Sequence, residues 1–205
     1  MAACCDGCGA PPGQTGDSRY RRILQFALVI NAGMFLIEVF SGFFARSAAL
    51  QADALDFLGD AANFGISLSV LGLASQLRAK AALIKGLTMA SFGSWVLGNT
   101  AWQLWHGILP KAEIMGGVGL LALIANGAVA FLLYRYRQGD ANMRSVWLCA
   151  RNDALGNIAV VLAAGAVEFF AHHWPDIAVA GVIGSLNLIA AFQVIGRARQ
   201  ELRPT

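Results

Sequence analysis

The sequence predicts an all-α fold: a six-helix transmembrane bundle with both termini in the cytoplasm. Three observations lead there. Of the 205 residues, 57% are hydrophobic and only 13% charged, about half the charged share of a water-soluble domain. Six apolar runs are long enough to cross a bilayer as helices, which takes about 20 residues each. Basic residues crowd alternate connections, as the positive-inside rule requires of a multi-pass chain. The net charge of +3 is spread along the chain, so it reads as a topology signal and no nucleic-acid partner is expected.

The elements follow in order. Residues 1–22 form a head without an apolar core, expected to be a flexible cytoplasmic segment and not a signal peptide. The first run covers 23–44. The second, 48–74, is less apolar and holds Asp53, Asp56 and Asp60. The third, 83–107, ends on Trp102, Trp105 and His106, which read as an interfacial belt. The fourth, 115–135, carries Gly116, Gly117, Gly119 and Gly127, small enough for close helix contact. The fifth, 146–170, is interrupted by Arg151, Asn152 and Asp153. The sixth, 177–196, follows Trp174 and Pro175 at the last outer turn. The six-helix domain is thus 23–197, and the tail 198–205 is too short for a core of its own.

Charge sets the direction. Arg19, Arg21, Arg22, Arg78, Lys80, Lys85, Arg135, Arg137, Arg144, Arg197, Arg199 and Arg203 flank one side, against Arg46 and Lys111 on the other. With Arg151 inside the fifth run, these account for all 15 basic residues. Both ends and the even-numbered loops are therefore assigned to the cytoplasm, and the protein to a bacterial inner membrane with the lipid bilayer as its surroundings.

Acids at membrane depth are costly, which makes them functional candidates. Asp56 and Asp60 are four residues apart and share a helix face. They repel unless a cation lies between them or one is protonated. Asp53 could join that face, and Asn63 extends it inward. In the fifth run, Cys149, Asp153 and Asn157 repeat at four, with Asn152 beside Asp153. At 1.5 Å per residue, Asp56 and Asp60 lie ~12–18 Å below the outer boundary, and Asp153 ~16 Å below it. Three carboxylates at one level form a site with Asn152 or Cys149 if the two helices pack together. Arg151 either neutralises Asp153 or snorkels toward the cytoplasm. Cys4, Cys5 and Cys8 are candidate metal-capture thiols, set against an inert tail. His172 and His173, with Asp176, are weaker candidates for receiving a released metal.

The stretch from Ser47 to Asp60, Ser-Ala-Ala-Leu-Gln-Ala-Asp-Ala-Leu-Asp-Phe-Leu-Gly-Asp, resembles the second transmembrane helix of the cation diffusion facilitators. Asn31 and Glu38 match polar positions of that family's first helix, Asn126 one of its fourth, and Asp153 to Asn157 its fifth. The resemblance covers roughly residues 20–197. It implies export of a divalent metal, most often zinc, in exchange for protons. The implied ligands are Asp56, Asp60 and Asp153, with Cys149 standing where the family has histidine and Asn152 as an alternative oxygen donor. Asn31, Glu38, Asp53, Asn126 and Asn157 become accessory polar positions. A thiolate favours Zn²⁺ or Cd²⁺, whereas hybrid oxygen sets take Co²⁺ or Fe²⁺. The family's usual cytoplasmic domain is not seen, so a short form is expected, with any homodimer held by membrane helices.

An enzyme is not expected. There is no paired nucleophile and base, no His-Glu-x-x-His and no phosphate-binding glycine loop. The competing reading is a membrane metal sensor or accessory subunit that binds ions without moving them.

Overall fold

The computed structural model describes residues 18–69, 75–134 and 141–202. Cys4, Cys5 and Cys8 lie outside the described residues. Six helices follow one another: α1 (Ser18–Ala45), α2 (Ala48–Ser69), α3 (Ser75–His106), α4 (Ala112–Tyr134), α5 (Ala141–Phe170) and α6 (Trp174–Glu201). The described residues contain no strand. Five of the helices are long and apolar enough to cross a membrane. The exception, α2, is 22 residues long and carries the three aspartates, which dilute its hydropathy without shortening it.

The outer surface is greasy where a soluble protein would be polar. Val29, Phe44, Phe131 and Phe169 are 70%, 72%, 80% and 82% exposed. Side chains of this size left open on several helices need lipid around them. Trp102, Trp105 and Trp174 are exposed at one end of α3 and the start of α6, as expected of a belt at the headgroup level.

Helices run past the apolar windows wherever polar residues continue the turn. Thus α3 begins at Ser75 and not near residue 83, and α6 continues to Glu201. Pro175 at its start suits a first turn with no N–H to satisfy, and Arg199 in its last turn faces the negative end of the dipole. One consequence corrects the charge reading: Lys85, assigned to a loop, sits within α3 and is buried.

The helices pair most extensively as α1 with α2, α4 with α5, and α3 with α6. Among the described residues, only α2 meets all five other helices. It can do so because its outer half offers small residues: Ala48, Ala49, Ala52 and Ala54 are fully buried, letting neighbouring backbones approach on every side. The α3–α6 pair docks on α2, with α6 also reaching α5. An outer core gathers Leu50, Leu55, Val96, Met115, Val160 and Ile183, and an inner one Leu24, Phe64, Val129 and Leu133.

Close approach is tightest between α3 and α6. A Cβ at Gly86 would come within 2.8 Å of Ile195 Cγ1 and 3.3 Å of its backbone nitrogen. Gly86→Val is expected to lower stability by about 1–3 kcal/mol through overpacking, read as a lower unfolding temperature in detergent. Of the four α4 glycines, Gly119 serves such a contact, with Val160 3.1 Å from its added Cβ. Gly117 and Gly127 face open space.

Candidate functional site

The α3–α6 pair meets α2 and α5 at a cavity of about 40 Å³. A water needs about 10–15 Å³ by the same measure, so the space admits an ion or a few waters. Asp56, Asp60 and Asn63 enter from α2, one helical turn apart in steps of three and four. Asp153 enters from α5, Lys85 and Met89 from α3, and Asn187 from α6. Asp60 and Asp153 are in side-chain hydrogen-bonding contact, and the Lys85 ammonium acts electrostatically on Asp60. Lys85 Nζ donates a hydrogen bond to Asn63 Oδ1.

The three acids expected to act together therefore line one cavity. Among the described residues, no group of three or more His, Cys, Asp or Glu is drawn close enough to hold a metal outright. The acids face a shared space and do not form a closed cage. Cys149 and Asn152 are not on the cavity wall. Cys149 is buried one turn away, and Asn152 accepts a hydrogen bond from Arg151 Nη2 at 3.1 Å. Arg151 itself is exposed, its guanidinium 5.3 Å from the Trp147 ring centre. It is not on the cavity wall either.

Asp53 belongs to a different cluster. Asn126 Nδ2 donates to Asn157 Oδ1 at 2.9 Å, and Asn157 Nδ2 donates to Asp53 Oδ2 at 2.5 Å. The carboxyl of Glu38, fully buried on α1, lies beside that of Asp53; both Glu38 oxygens and Asp53 Oδ1 are without a hydrogen-bond partner among the described residues. This chain ties α1, α2, α4 and α5 together beside the cavity. Asn31 stays apart, donating to Ala27 O of its own helix at 2.8 Å. Glu38→Gln keeps the volume, places an N–H donor beside Asp53 and is expected to cost less than about 1 kcal/mol. Glu38→Ala leaves Asp53 facing a void and should cost about 2–4 kcal/mol. Thermal unfolding of the two variants checks the difference.

Asp176 is not available to a metal. Buried completely, it accepts from Ser47 Oγ at 2.6 Å, Ala48 N at 2.8 Å and Ala49 N at 3.1 Å. It is an N-cap delivered to α2 from another helix. His173 is near enough to act on it electrostatically, and the rings of His172 and His173 stack on each other 4.5 Å apart. His106 stacks on Trp102 at 3.8 Å and accepts no role in the cavity.

Sequence reasoning missed Lys85, Met89 and Asn187. A signal existed for the first two: Met89, Phe92, Val96, Thr100 and Gln103 recur at helical spacing along the inward face of α3. Extended back one turn, that stripe reaches Lys85. Asn187 gave no such signal; it also donates to Ala52 O at 3.3 Å, a partner only the packing supplies.

Comparison with known proteins agrees with this architecture. A "Cadmium, cobalt and zinc/H(+)-K(+) antiporter" of Bacillus velezensis is 23% identical over 188 residues, covering 85% of this chain and 60% of that protein. The "Metal cation efflux system protein CzcD" of Cupriavidus metallidurans is 27% identical over 175 residues, covering 80% and 55%. "Zinc transporter ZitB" of Escherichia coli is 27% identical over 161 residues, covering 72% and 51%. The chain thus spans between 51% and 60% of the length of these curated relatives. The family model of the cation efflux transmembrane domain matches residues 24–202. With most of its length inside that match, the chain belongs to the cation efflux family of multi-pass membrane transporters, as the second-helix motif led us to expect.

Proposed function

We propose that this protein exports divalent metal ions of the Zn²⁺, Cd²⁺ and Co²⁺ type from the bacterial cytoplasm, in exchange for protons. The observation that carries the reading is the convergence of Asp56, Asp60 and Asp153 on one small cavity between α2 and α5. Carboxylates in a low-dielectric site hold protons tightly, and a bound divalent cation displaces them. Metal and protons then compete for the same oxygens. Alternate exposure of the site to the two sides couples their opposite fluxes.

Asn63 and Lys85 lie toward the α2–α3 connection, on the side the basic residues assign to the cytoplasm. Asn63 and Asn187 add amide oxygens near the acids, and Met89 a thioether. Carboxylate and amide oxygens accept Zn²⁺ and Co²⁺, while the softer sulfur improves the fit for Cd²⁺. The metals in the relatives' names support the same reading. A homodimer would rest on membrane helices.

The test is metal-dependent proton movement in sealed vesicles containing the purified protein, with Zn²⁺, Cd²⁺, Co²⁺, Fe²⁺ and Mn²⁺ compared. Metal uptake that accelerates with an opposing pH gradient supports exchange. Metal binding with no flux under any gradient would favour a sensor or accessory subunit instead.

A further inference from the structure

We infer that Lys85 is a built-in counter-cation of the metal site, whose ammonium is displaced by the incoming divalent ion and so sets both metal affinity and selectivity. The inference rests on the proposed metal site and deepens it.

The position is unusual for a lysine. Five residues earlier on the same helix, Lys80 is exposed, the ordinary state of a lysine near a membrane surface. Lys85 is only 8% exposed. Its neighbour Gly86 sits against Ile195, so the α3 backbone is pressed onto α6 just where the lysine stem departs. Packing directs the stem into the bundle, and the ammonium reaches the cavity wall beside Asp56, Asp60 and Asp153. There it donates to Asn63 Oδ1 and acts on Asp60.

Two consequences follow from charge. Lys85 and the three acids line the same small cavity, so an ammonium and a divalent ion beside those carboxylates would repel each other strongly. The metal must therefore push the lysine head aside, and the flexible four-carbon stem permits that. Secondly, a tethered cation is present at high effective concentration. A free monovalent ion offers the carboxylates no more charge than the ammonium already there, whereas a divalent ion offers twice as much. Lys85 thereby rejects Na⁺ and K⁺ without any size filter. Because it rises from α3 while the acids lie on α2 and α5, it also bridges the two groups of helices until metal takes its place.

The experiment is equilibrium Zn²⁺ binding to the purified full chain in detergent by calorimetry, at one pH, for the native protein, Lys85→Gln, Lys85→Met and Asp60→Asn. Gln keeps an N–H donor for Asn63 without the charge, and Met keeps the length without the donor. Both Lys85 variants are expected to bind Zn²⁺ about tenfold more tightly, and to gain inhibition of that binding by 0.1 M-scale K⁺ that the native protein lacks. Native affinity in Lys85→Gln, with Lys85→Met merely less stable, would show a structural hydrogen bond and overturn the inference. Asp60→Asn separates the two levels. If it abolishes binding while Lys85→Gln binds as native, the metal site stands and only the role of Lys85 falls. If Asp60→Asn binds as native, the site itself is wrong and the inference falls with it.

Discussion

Asp60→Asn is expected to reduce metal-driven proton movement by roughly a hundredfold or more. Replacing a partner outside a metal's own ligands already costs about 10–100-fold, and Asp60 is proposed as a ligand. Asparagine has nearly the same shape, so the cavity keeps its volume. What is lost is a negative charge, and with it a proton-binding oxygen that metal binding would release. Asp153→Asn, removing the acid in contact with Asp60 from α5, should behave the same way. Asp53→Asn should not. Its carboxyl faces Glu38 and Asn157 and is absent from the cavity wall, so metal affinity should stay within a few-fold of native. Vesicle flux and calorimetric binding on the three variants make the comparison. Equal loss in all three would mean that the acids act as one cluster, against the separation seen here.

The second large effect is on stability. Asp176→Ala should cost about 3–5 kcal/mol. The carboxylate satisfies the Ser47 hydroxyl and the first two N–H groups of α2, and each buried donor left without a partner costs about 1–3 kcal/mol. It also places negative charge at the positive end of that helix, which the dipole favours. Ser47 Oγ in turn accepts from Leu50 N at 3.2 Å, so losing Asp176 loosens a second cap. Asp176→Asn keeps one acceptor oxygen and should fall between native and alanine. Unfolding temperature in detergent gives the order, and amide exchange at Ala48 and Ala49 locates the loss. Because α2 bears Asp56 two turns further along, fraying its outer end should also slow transport without changing which metal is carried.

Much of this protein was legible in its residues. Length of apolar run marks six helices, because lipid leaves a backbone little alternative to a helix. That Asp56, Asp60 and Asp153 could meet was expected from a fixed rise per residue, and the three line one cavity. Membership of the cation efflux family followed from the order of acids and small residues on α2. What those quantities do not contain is rotation about each helix axis and the choice of neighbours, both of which arise from side-chain packing between segments far apart in sequence. Only packing separates Asp53 from Asp56, sending one toward Glu38 and Asn157 and the other to the cavity. Only packing turns Cys149 and Asn152 off the cavity wall, commits Asp176 to capping α2, and carries Lys85 from an apparent loop charge into the acids' company. The sequence determined which residues fall along each helix; contacts between α2, α3, α5 and α6 decided which of them face one another.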